Sequence, residues 1–359
     1  MMLPIAFLLA FRLTPEIPGQ KFTQPQLLSM GDQIGMVYGT GDAIYYASSK
    51  TDGESWGQPV RVAEFRKLSL GRHRGPRLAQ QSGALVVTAI VGEQGRGVDG
   101  DLMAWRSEDN GQTWSEPVRV NNVPGAAREG LHGMAGGNGM VMAVWLDLRS
   151  KGTKLFGAKS TDGGRSWSAN VLVYESPDGT ICQCCHPTVL IGQGGVVHVM
   201  FRNVLDGSRD MHLTTSQDAG KTFPPPRRLG RETWKLNACP MDGGALAVSA
   251  NNKVFSVWRR DKEIFVAHPD SKESKLGDGK DPAVVSGMND HIYAVWVAPD
   301  GSLQTRSSEE DKVRQLSPKG AYPNVIFTGH RILAAWEEGD GITVGDVPAP
   351  SLRSSSEFR

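Results

Sequence analysis

The sequence predicts an all-β protein, a β-propeller made of four-stranded antiparallel blades. The first observation is a turn motif that recurs about once per blade, and its clearest copy, at 107–114, reads SEDNGQTW. Two further copies occupy 160–167 and 216–223, and a degenerate copy with Thr51 in place of the aspartate occupies 49–56. The aromatic residues that close the copies are spaced by 58, 53 and 56 residues. Self-similarity at such a period is typical of propellers and other repeat folds.

The second observation is a short apolar segment that ends in an aromatic or similar residue and recurs along the whole chain. Its seven copies lie at 35–38, 85–88, 142–145, 198–201, 255–258, 293–296 and 333–336. Another apolar segment, often opened by proline, precedes each copy, and a Gly/Asp turn and a third segment follow it. Each repeat therefore contains strands A, B and C, then the motif turn and strand D, which is one blade. Seven repeats favour seven blades, with six as the alternative.

The turn motif has a mechanical explanation. Asp and Ser side chains can hydrogen-bond the backbone two residues further on, and Gly adopts the positive φ that a tight turn needs. The aromatic residue then packs beneath the turn and ties strand D to the blade. Through these residues the chain resembles the sialidase or neuraminidase-like superfamily, whose repeat is called the Asp-box or BNR repeat. The resemblance implies a propeller with its boxes on the face away from the active site, and such boxes also occur in propellers without sialidase activity.

The composition is that of a globular domain rather than of a nucleic-acid-binding or membrane protein. The 359 residues are 39% hydrophobic and 21% charged, with a formal net charge of +1. A near-neutral chain has no electrostatic footprint for nucleic acid, and no segment approaches the roughly 20 apolar residues of a membrane span. We expect a single propeller domain over 21–348 and a disordered tail at 349–359. Residues 1–20 are either a signal peptide, which predicts a periplasmic or secreted protein, or a strand that closes the ring.

In a propeller, each strand A begins beside the central axis, on the face opposite the motif turns. Residues just before strand A should therefore converge around an axial funnel, where we expect a small-molecule or glycan ligand. These residues are Gln24, His73, Arg74, His132, Cys184, Cys185, His186, Cys239, Asp281 and Tyr322.

The four cysteines fall at the strand A starts of two adjacent repeats, three of them in the run 182–185 and the fourth at Cys239. Thiolates and imidazoles are ligands that suit Cu(I), Zn²⁺ and similar metals. The predicted metal ligands are Cys184, Cys185, Cys239, His132 and His186, with copper favoured and zinc the alternative. Structural disulfides are the competing interpretation, because an even cysteine count in an exported protein usually means bridges.

The resemblance to sialidases implies a second set of candidates in the charged loops between strands B and C. Members of that superfamily clamp the substrate carboxylate with three arginines, because guanidinium groups match carboxylates, and use a Tyr nucleophile paired with a Glu and an Asp acid/base. The candidates are Arg149, Arg202 and Arg259 for substrate binding, and Tyr322, Glu337 and Asp147 for catalysis, with Asp101 as the alternative acid/base. The superfamily's Phe-Arg-Ile-Pro signature is altered, because 11–15 reads FRLTP. A solvated rim of ion pairs is the competing interpretation of these loops.

Three functions are compatible with these residues. The first is an exported propeller whose axial Cys/His site binds a soft metal, in a catalytic or a purely binding role. The second is an exo-sialidase-type glycoside hydrolase for terminal sialic acid or a related acidic sugar, which predicts that the three arginines converge near Tyr322. The third is a non-catalytic propeller that binds a glycan or a protein at its funnel rim.

Overall fold

The computed structural model describes residues 10–95, 97–268 and 271–349, which form seven antiparallel sheets arranged as the blades of a propeller. The innermost strand of each blade packs against the innermost strands of its two neighbours, and the seventh blade returns to the first. The predicted all-β class and the count of seven blades are confirmed. Two 3-10 turns, Gln193–Gly195 and Met288–Asp290, are the helical elements of the described ranges, so no helix there is long and apolar enough to cross a membrane.

The strands are numbered along the chain from β1 (Ala10–Leu13), and the first three blades follow it in the predicted A-B-C-D order. Blade 1 consists of β2 (Thr23–Ser29), β3 (Ile34–Thr40), β4 (Ala43–Ser49) and β5 (Val60–Glu64). Blade 2 consists of β6 (Lys67–Leu68), β7 (Arg77–Gln81), β8 (Ala84–Gly92), β9 (Asp101–Ser107) and β10 (Val118–Arg119), in which β6 and β7 both pair with β8. Blade 3 consists of β11 (His132–Gly137), β12 (Met140–Asp147), β13 (Lys154–Ser160) and β14 (Val171–Tyr174).

The remaining blades keep the same order. Blade 4 consists of β15 (Thr188–Ile191), β16 (Val197–Arg202), β17 (Met211–Ser216) and β18 (Arg227–Arg228). Blade 5 consists of β19 (Gly244–Val248), β20 (Val254–Arg260), β21 (Glu263–Ala267) and β22 (Ser274–Asp278). Blade 6 consists of β23 (Lys280–Ser286), β24 (Ile292–Val297), β25 (Leu303–Ser307) and β26 (Arg314–Ser317). Blade 7 has three strands from the end of the chain, β27 (Ala321–Phe327), β28 (Ile332–Glu338) and β29 (Gly341–Asp346).

The N-terminal strand supplies the fourth strand of blade 7. β1 pairs antiparallel with β29, from Ala10 opposite Gly345 to Leu13 opposite Ile342. Closure by a strand from the other end of the chain removes an exposed sheet edge. The N-terminal segment therefore contains the ring-closing strand that the sequence analysis gave as one alternative. The signal peptide was predicted for 1–20 and the disordered tail for 349–359, and of these ranges residues 1–9 and 350–359 lie outside the described residues.

The second strand of each blade lies at the centre of the core. Every residue of β12 and β16 is buried, because the neighbouring blades cover both faces of the sheet. The aromatic residues that mark these segments in the sequence are almost fully buried, including Trp145, Phe201 and Trp296 at no more than 1% exposure. Each such side chain removes enough apolar surface from water to contribute about 4–6 kcal/mol of transfer free energy.

The motif turns join strands C and D as predicted. In the copy after β9, Ser107 Oγ accepts a hydrogen bond from Gly111 N at 2.8 Å, and Asp109 accepts bonds from the backbone N and the hydroxyl of Thr113. These donors hold the pKa of Asp109 at about 2. In the degenerate copy, Thr51 Oγ1 takes the acceptor role of the aspartate and receives Ser55 N at 2.8 Å.

Candidate functional site

The seven innermost strands surround an axial channel with a volume of about 550 Å³. Four of the residues predicted to converge at the start of strand A line this channel: Gln24, His73, His186 and Tyr322. A fifth, Asp281, is bonded to His73. These five residues therefore lie together at one end of the channel, which we call its mouth, as the sequence analysis predicted.

The same backbone geometry places three of these side chains. Gln24, Asp281 and Tyr322 each precede a proline and have positive φ values of 57°, 53° and 50°. The register of strand pairing shifts at each position, as in a β-bulge. A bulge re-aims a side chain, and a positive φ outside glycine costs free energy. The same strained backbone geometry recurs in blades 1, 6 and 7, which indicates that these three side chains are oriented for a function.

His73 is held between a carboxylate and two rings. Its Nε2 lies 2.8 Å from Asp281 Oδ1, which places the ring proton on Nε2 and leaves the lone pair on Nδ1. The ring stacks on His186 with centroids 4.3 Å apart and meets the edge of Tyr322 at 5.0 Å. His186 Nδ1 accepts a hydrogen bond from Gly243 N at 3.2 Å, so its own ring proton is on Nε2. The mouth thus presents the Nδ1 lone pair of His73 beside the Tyr322 hydroxyl and the Nε2–H of His186.

Tyr322 and Glu337, the predicted catalytic pair, both lie at this mouth. Burial raises the pKa of Tyr322, and the nearby Asp281 and Glu337 carboxylates add to the effect, so the phenol keeps its proton at neutral pH. Glu337 Oε1 accepts hydrogen bonds from the backbone N and Nε2 of Gln24, at 2.9 and 3.1 Å, and Oε2 is 3.3 Å from Lys21 Nζ. Both oxygens of Glu337 are therefore already held by protein groups.

Arg77 places a positive charge in the channel wall. Its guanidinium donates to the carbonyl oxygens of His73, Gly75 and Pro76, at distances of 2.6 to 3.2 Å. Burial lowers the pKa of Arg77 to about 10, so the side chain stays charged at neutral pH. No ion pair to Arg77 is found in the part of the chain that the structure describes, so its charge can attract an anionic ligand.

His132, a predicted metal ligand, begins the innermost strand of blade 3 and faces blade 2. Its Nε2 lies 3.1 Å from Thr88 Oγ1, while its buried Nδ1 has no hydrogen-bond partner among the described residues. Burial, together with the charge of Arg77, moves the pKa of His132 well below its usual value. His132 is therefore neutral, and its contacts are not with the cysteines.

Asp147 and Arg149 form a closed pair. Asp147 accepts two hydrogen bonds from the Arg149 guanidinium and one from Trp145 Nε1, all at 2.8 Å. Arg149 also donates to Asn170 and lies 3.8 Å from the ring centroid of Phe156. The hydrogen-bonding capacity of both side chains is largely used within blade 3.

The other two arginines of the predicted clamp converge on Asp242. Arg202 Nη2 lies 3.4 Å from Asp242 Oδ1, and Arg259 Nη1 lies 3.7 Å from Oδ2. Asp242 Oδ2 also accepts a hydrogen bond from Asp281 N at 3.1 Å, which joins the pair to the partner of His73. The structure thus brings Arg202 and Arg259 together, whereas Arg149 is paired with Asp147 in blade 3. The role of all three arginines as a carboxylate clamp stays a prediction.

Three cysteines form what we call the thiol cluster: Cys182, Cys184 and Cys185. The Sγ atom of Cys182 lies 3.6 Å from that of Cys184 and 3.3 Å from that of Cys185, and all three are within 4.8 Å of one another. They are buried, whereas Cys239 is exposed, and all four cysteines are unpaired in the structure. His186 follows Cys185 directly but stacks on His73, away from this group.

The surroundings of the thiol cluster favour one thiolate. Hydrogen bonds from Cys184 and Cys185 lower the pKa of Cys182, and Arg209 Nη1 donates to its Sγ at 3.3 Å. The shared hydrogen bond with Cys182 raises the pKa of Cys184, and burial raises that of Cys185. The charge of the buried Arg202 interacts with Cys185 and Cys182. The site is therefore a sulfur-rich pocket flanked by positive charge.

Sequence reasoning placed His73 and Asp281 at the channel mouth but did not pair them. They are 208 residues apart, with His73 between β6 and β7 of blade 2 and Asp281 in β23 of blade 6. Asp242, which connects them to the arginines, was not a candidate. Both contacts cross between blades, so no local motif signals them.

Fold and site together define a sialidase-like β-propeller with an axial channel. Residues 39–329 match the model of the BNR repeat-like domain family, and the chain belongs to that family. It is 26% identical over 140 residues to an exo-alpha-sialidase of Arthroderma benhamiae. That alignment covers 37% of this chain and 34% of the relative, so the chain matches about a third of the length of this curated relative.

Solved structures with the same fold include several carbohydrate-active proteins. The alpha-L-arabinanase of Penicillium chrysogenum, complexed with arabinobiose, has a TM-score of 0.54 and 14% identity, over 94% of this chain and 98% of that one. An ulvan lyase bound to a GlcA–Rha3S repeat has a TM-score of 0.56 and 11% identity, over 93% and 97%. A leech intramolecular trans-sialidase complexed with 2,7-anhydro-Neu5Ac has a TM-score of 0.54 and 10% identity, over 82% and 68%. At these identities the similarity establishes the fold alone.

Proposed function

We propose that this protein is an exported, carbohydrate-active propeller that binds an acidic glycan at the mouth of its axial channel and cleaves it by proton transfer. The observation that carries the proposal is the contact of His73 with Asp281 and Tyr322 at that mouth. A histidine base held by a carboxylate, beside a phenol that keeps its proton, is a combination suited to general acid–base catalysis.

The charge of the channel supports an acidic ligand. The Arg77 cation lies in the wall, bonded to carbonyl oxygens, and a guanidinium group prefers a carboxylate or a similar anion. Two of the similar structures hold sugars of this kind, the 2,7-anhydro-Neu5Ac of the trans-sialidase and the GlcA of the ulvan lyase. We therefore place a sugar carboxylate near Arg77.

The two proton-transfer roles follow from the tautomer of His73. Its Nδ1 takes a proton from the substrate or from a water molecule, while Asp281 stabilises the resulting imidazolium. Tyr322 Oη gives its proton to the glycosidic oxygen as the carbon–oxygen bond breaks. Proton loss from a carbon next to the carboxylate leaves a double bond in the product, whereas proton loss from water gives hydrolysis, so the product identifies the reaction.

The sialidase-type arrangement uses Tyr322 differently, as a nucleophile paired with Glu337. Both arrangements lose activity in Tyr322→Phe, so the discriminating variants are His73→Gln and Glu337→Gln. Our proposal predicts a loss of about 10²–10⁴-fold in kcat/KM for His73→Gln and a small effect for Glu337→Gln. His330→Gln is the matched control, because His330 is an exposed histidine whose ring contacts Asp52, in the turn motif of blade 1.

The experiment uses the full chain with a fluorogenic sialoside, arabinan and a uronate-containing polysaccharide. Reducing ends report cleavage, and ultraviolet absorbance of an unsaturated sugar reports elimination. Activity that survives His73→Gln but disappears in Glu337→Gln would refute the histidine mechanism in favour of the sialidase type. Binding without cleavage of any substrate would establish the non-catalytic glycan-binding alternative.

Export is part of the proposal. The apolar stretch at 3–11 has the length of a signal-peptide core, and it supports a periplasmic or secreted location through a leader that is retained, since Ala10 and Phe11 belong to β1. Fractionation of the native host, with an antibody against the propeller, would find the protein outside the cytoplasm. Recovery in the cytoplasmic fraction alone would refute this part.

A second candidate function is the binding of a soft metal, for which the thiol cluster is the specific observation. Three buried sulfur atoms within 4.8 Å of one another match the ligand type of Cu(I) and Zn²⁺. Metal analysis of the full chain, purified under reducing conditions with copper and zinc supplied, tests it. One metal ion per chain that is lost in Cys182→Ser is the expected result, and no bound metal in protein with free thiols would refute it.

A further inference from the structure

The number of ligands narrows the choice of ion for the thiol cluster. Structural zinc sites and most iron–sulfur clusters take four protein ligands. The cluster supplies three sulfur atoms, and no imidazole or carboxylate joins them among the residues that the structure describes. A closed set of three soft ligands suits a low-coordinate soft ion, and Cu(I) is the physiological ion of that kind.

The spacing of the sulfur atoms fits such an ion. Three sulfurs that lie ~2.3 Å from one ion, in one plane with it, stand about 4.0 Å apart. The distances from Cys182 Sγ to the other two sulfurs are 3.6 and 3.3 Å. Increases of about 0.4 and 0.7 Å in these two separations therefore bring the sulfur atoms to the spacing of such a site. The loop is held for it, because Cys182 N donates to Arg202 O at 3.1 Å.

The charge around the cluster also favours a monovalent ion. A Cu(I) ion on three thiolates leaves two negative charges, whereas Zn²⁺ leaves one. Arg209 and Arg202 contact the cluster, and Arg259 shares Asp242 with Arg202. These three arginines, less the one charge of Asp242, supply two positive charges. A buried charge needs such compensation, and Cu(I) balances the site.

Cys239 is accessible from solvent, unlike the three cysteines of the thiol cluster. It belongs to the loop before blade 5, is exposed, and stands two residues before Met241, which packs against the cluster. The three cluster cysteines are at most 7% exposed, so a donor molecule reaches them poorly. Cys239 is therefore a surface-exposed sulfur on a loop that packs against the buried group.

We propose that the thiol cluster is a Cu(I) site and that Cys239 is the thiol that accepts the ion from a thiolate donor and passes it inward. This inference rests on the soft-metal function and is independent of the glycan chemistry. Copper keeps its oxidation state throughout. The bond from copper to the donor sulfur breaks as the bond to Cys239 forms, and the donor thiolate leaves with the Cys239 proton. The bond from copper to Cys239 then breaks as the three bonds to the cluster sulfurs form, one displaced thiol proton returns to Cys239, and any others pass to solvent.

The test supplies Cu(I) as its glutathione complex to the reduced full chain without oxygen. Mass spectrometry after desalting counts the bound copper, stopped-flow ultraviolet absorption of the copper–thiolate bond gives the loading rate, and X-ray absorption counts the sulfur ligands. Wild-type protein should retain one Cu(I) with three sulfurs. Cys239→Ser should reach the same stoichiometry and the same final affinity but load about tenfold more slowly, because the buried sulfurs then need local opening.

Two variants control for packing and for the ligands. Met241 packs against the cluster, and Met241→Leu should leave stoichiometry and rate unchanged. Cys182→Ser should retain no copper. If Cys182→Ser fails to fold, the sulfur count in the wild-type protein and the rate in Cys239→Ser still decide the question.

The outcomes separate the inference from the function on which it rests. No copper or zinc in reduced wild-type protein would refute the soft-metal function itself. Retention of Zn²⁺ on four sulfurs in preference to Cu(I) would refute the choice of ion. Loading of Cys239→Ser at the wild-type rate, or a lower final affinity in that variant, would refute the relay role and leave the metal site standing.

Discussion

Removal of β1 should open the ring and lower the free energy of unfolding by an amount that can be estimated from its pairing with β29. The strand forms four residue pairs with β29, from Ala10 opposite Gly345 to Leu13 opposite Ile342. Four backbone hydrogen bonds at about 1 kcal/mol each give a loss of about 4 kcal/mol. For a chain of 359 residues, an unfolding entropy of about 2.1 cal/mol/K per residue converts this loss to a fall in Tm of about 5 °C.

The matched pair for this prediction is a chain that begins at Ala10 and one that begins at Thr14. Thermal unfolding followed by circular dichroism compares them, and a chain that ends at Ala349 controls for truncation in general. The chain that begins at Thr14 should unfold at the lower temperature and show a new exposed sheet edge as increased self-association. Equal Tm values for the two chains would show that β1 does not close the ring in solution.

Three further predictions concern stability. Thr51→Asp should complete the degenerate motif, because a carboxylate can accept hydrogen bonds from both the backbone N and the hydroxyl of Ser55. Tm should rise by about 1 °C. An unchanged or lower Tm would show that an aspartate at this position does not act as Asp109 does in its own turn. His132 stays neutral in the fold, because burial holds its pKa well below the usual value, whereas an unfolded histidine gains a proton below about pH 6.5. The contribution of His132 to stability is therefore present above that pH and is lost as the pH falls below it. Chemical denaturation above and below that pH should show this loss in the wild-type protein and a smaller one in His132→Gln. Asp242→Ala leaves Arg202 buried without its carboxylate and should cost about 3–5 kcal/mol, whereas the double variant Arg202→Met/Asp242→Leu should recover most of the loss in a denaturant titration.

The fold was predictable because its signals are local. Each motif turn closes on itself through hydrogen bonds that span four residues, such as those from Asp109 to Thr113. A local turn keeps its sequence signature wherever it recurs. Even the altered copy was recognisable, since Thr51 performs part of the same hydrogen bonding. The number of blades followed from the number of such units.

The candidate site was predictable in position but not in partnership. The start of strand A determines that His73 and Tyr322 face the axis, because all blades share one orientation. Which groups then pair depends on distances across the ring. His73 hydrogen-bonds Asp281, and Gln24 hydrogen-bonds Glu337. Each pair is more than 200 positions apart, so a single sequence does not show that the residues are paired.

The run 182–187 shows why neighbours in sequence can belong to different sites. Cys184 and Cys185 turn towards Arg202 and the sulfur of Cys182, whereas His186 turns towards the axis and stacks on His73. A turn at Cys184 and a bend at Cys185 separate the cysteines from His186 before the chain enters β15 at Thr188. A set of soft ligands that looks continuous in the sequence is thereby divided into a sulfur site off the axis and an imidazole in the channel. The division leaves His186 free of the sulfur site and available to stack on His73, the base of the proposed mechanism.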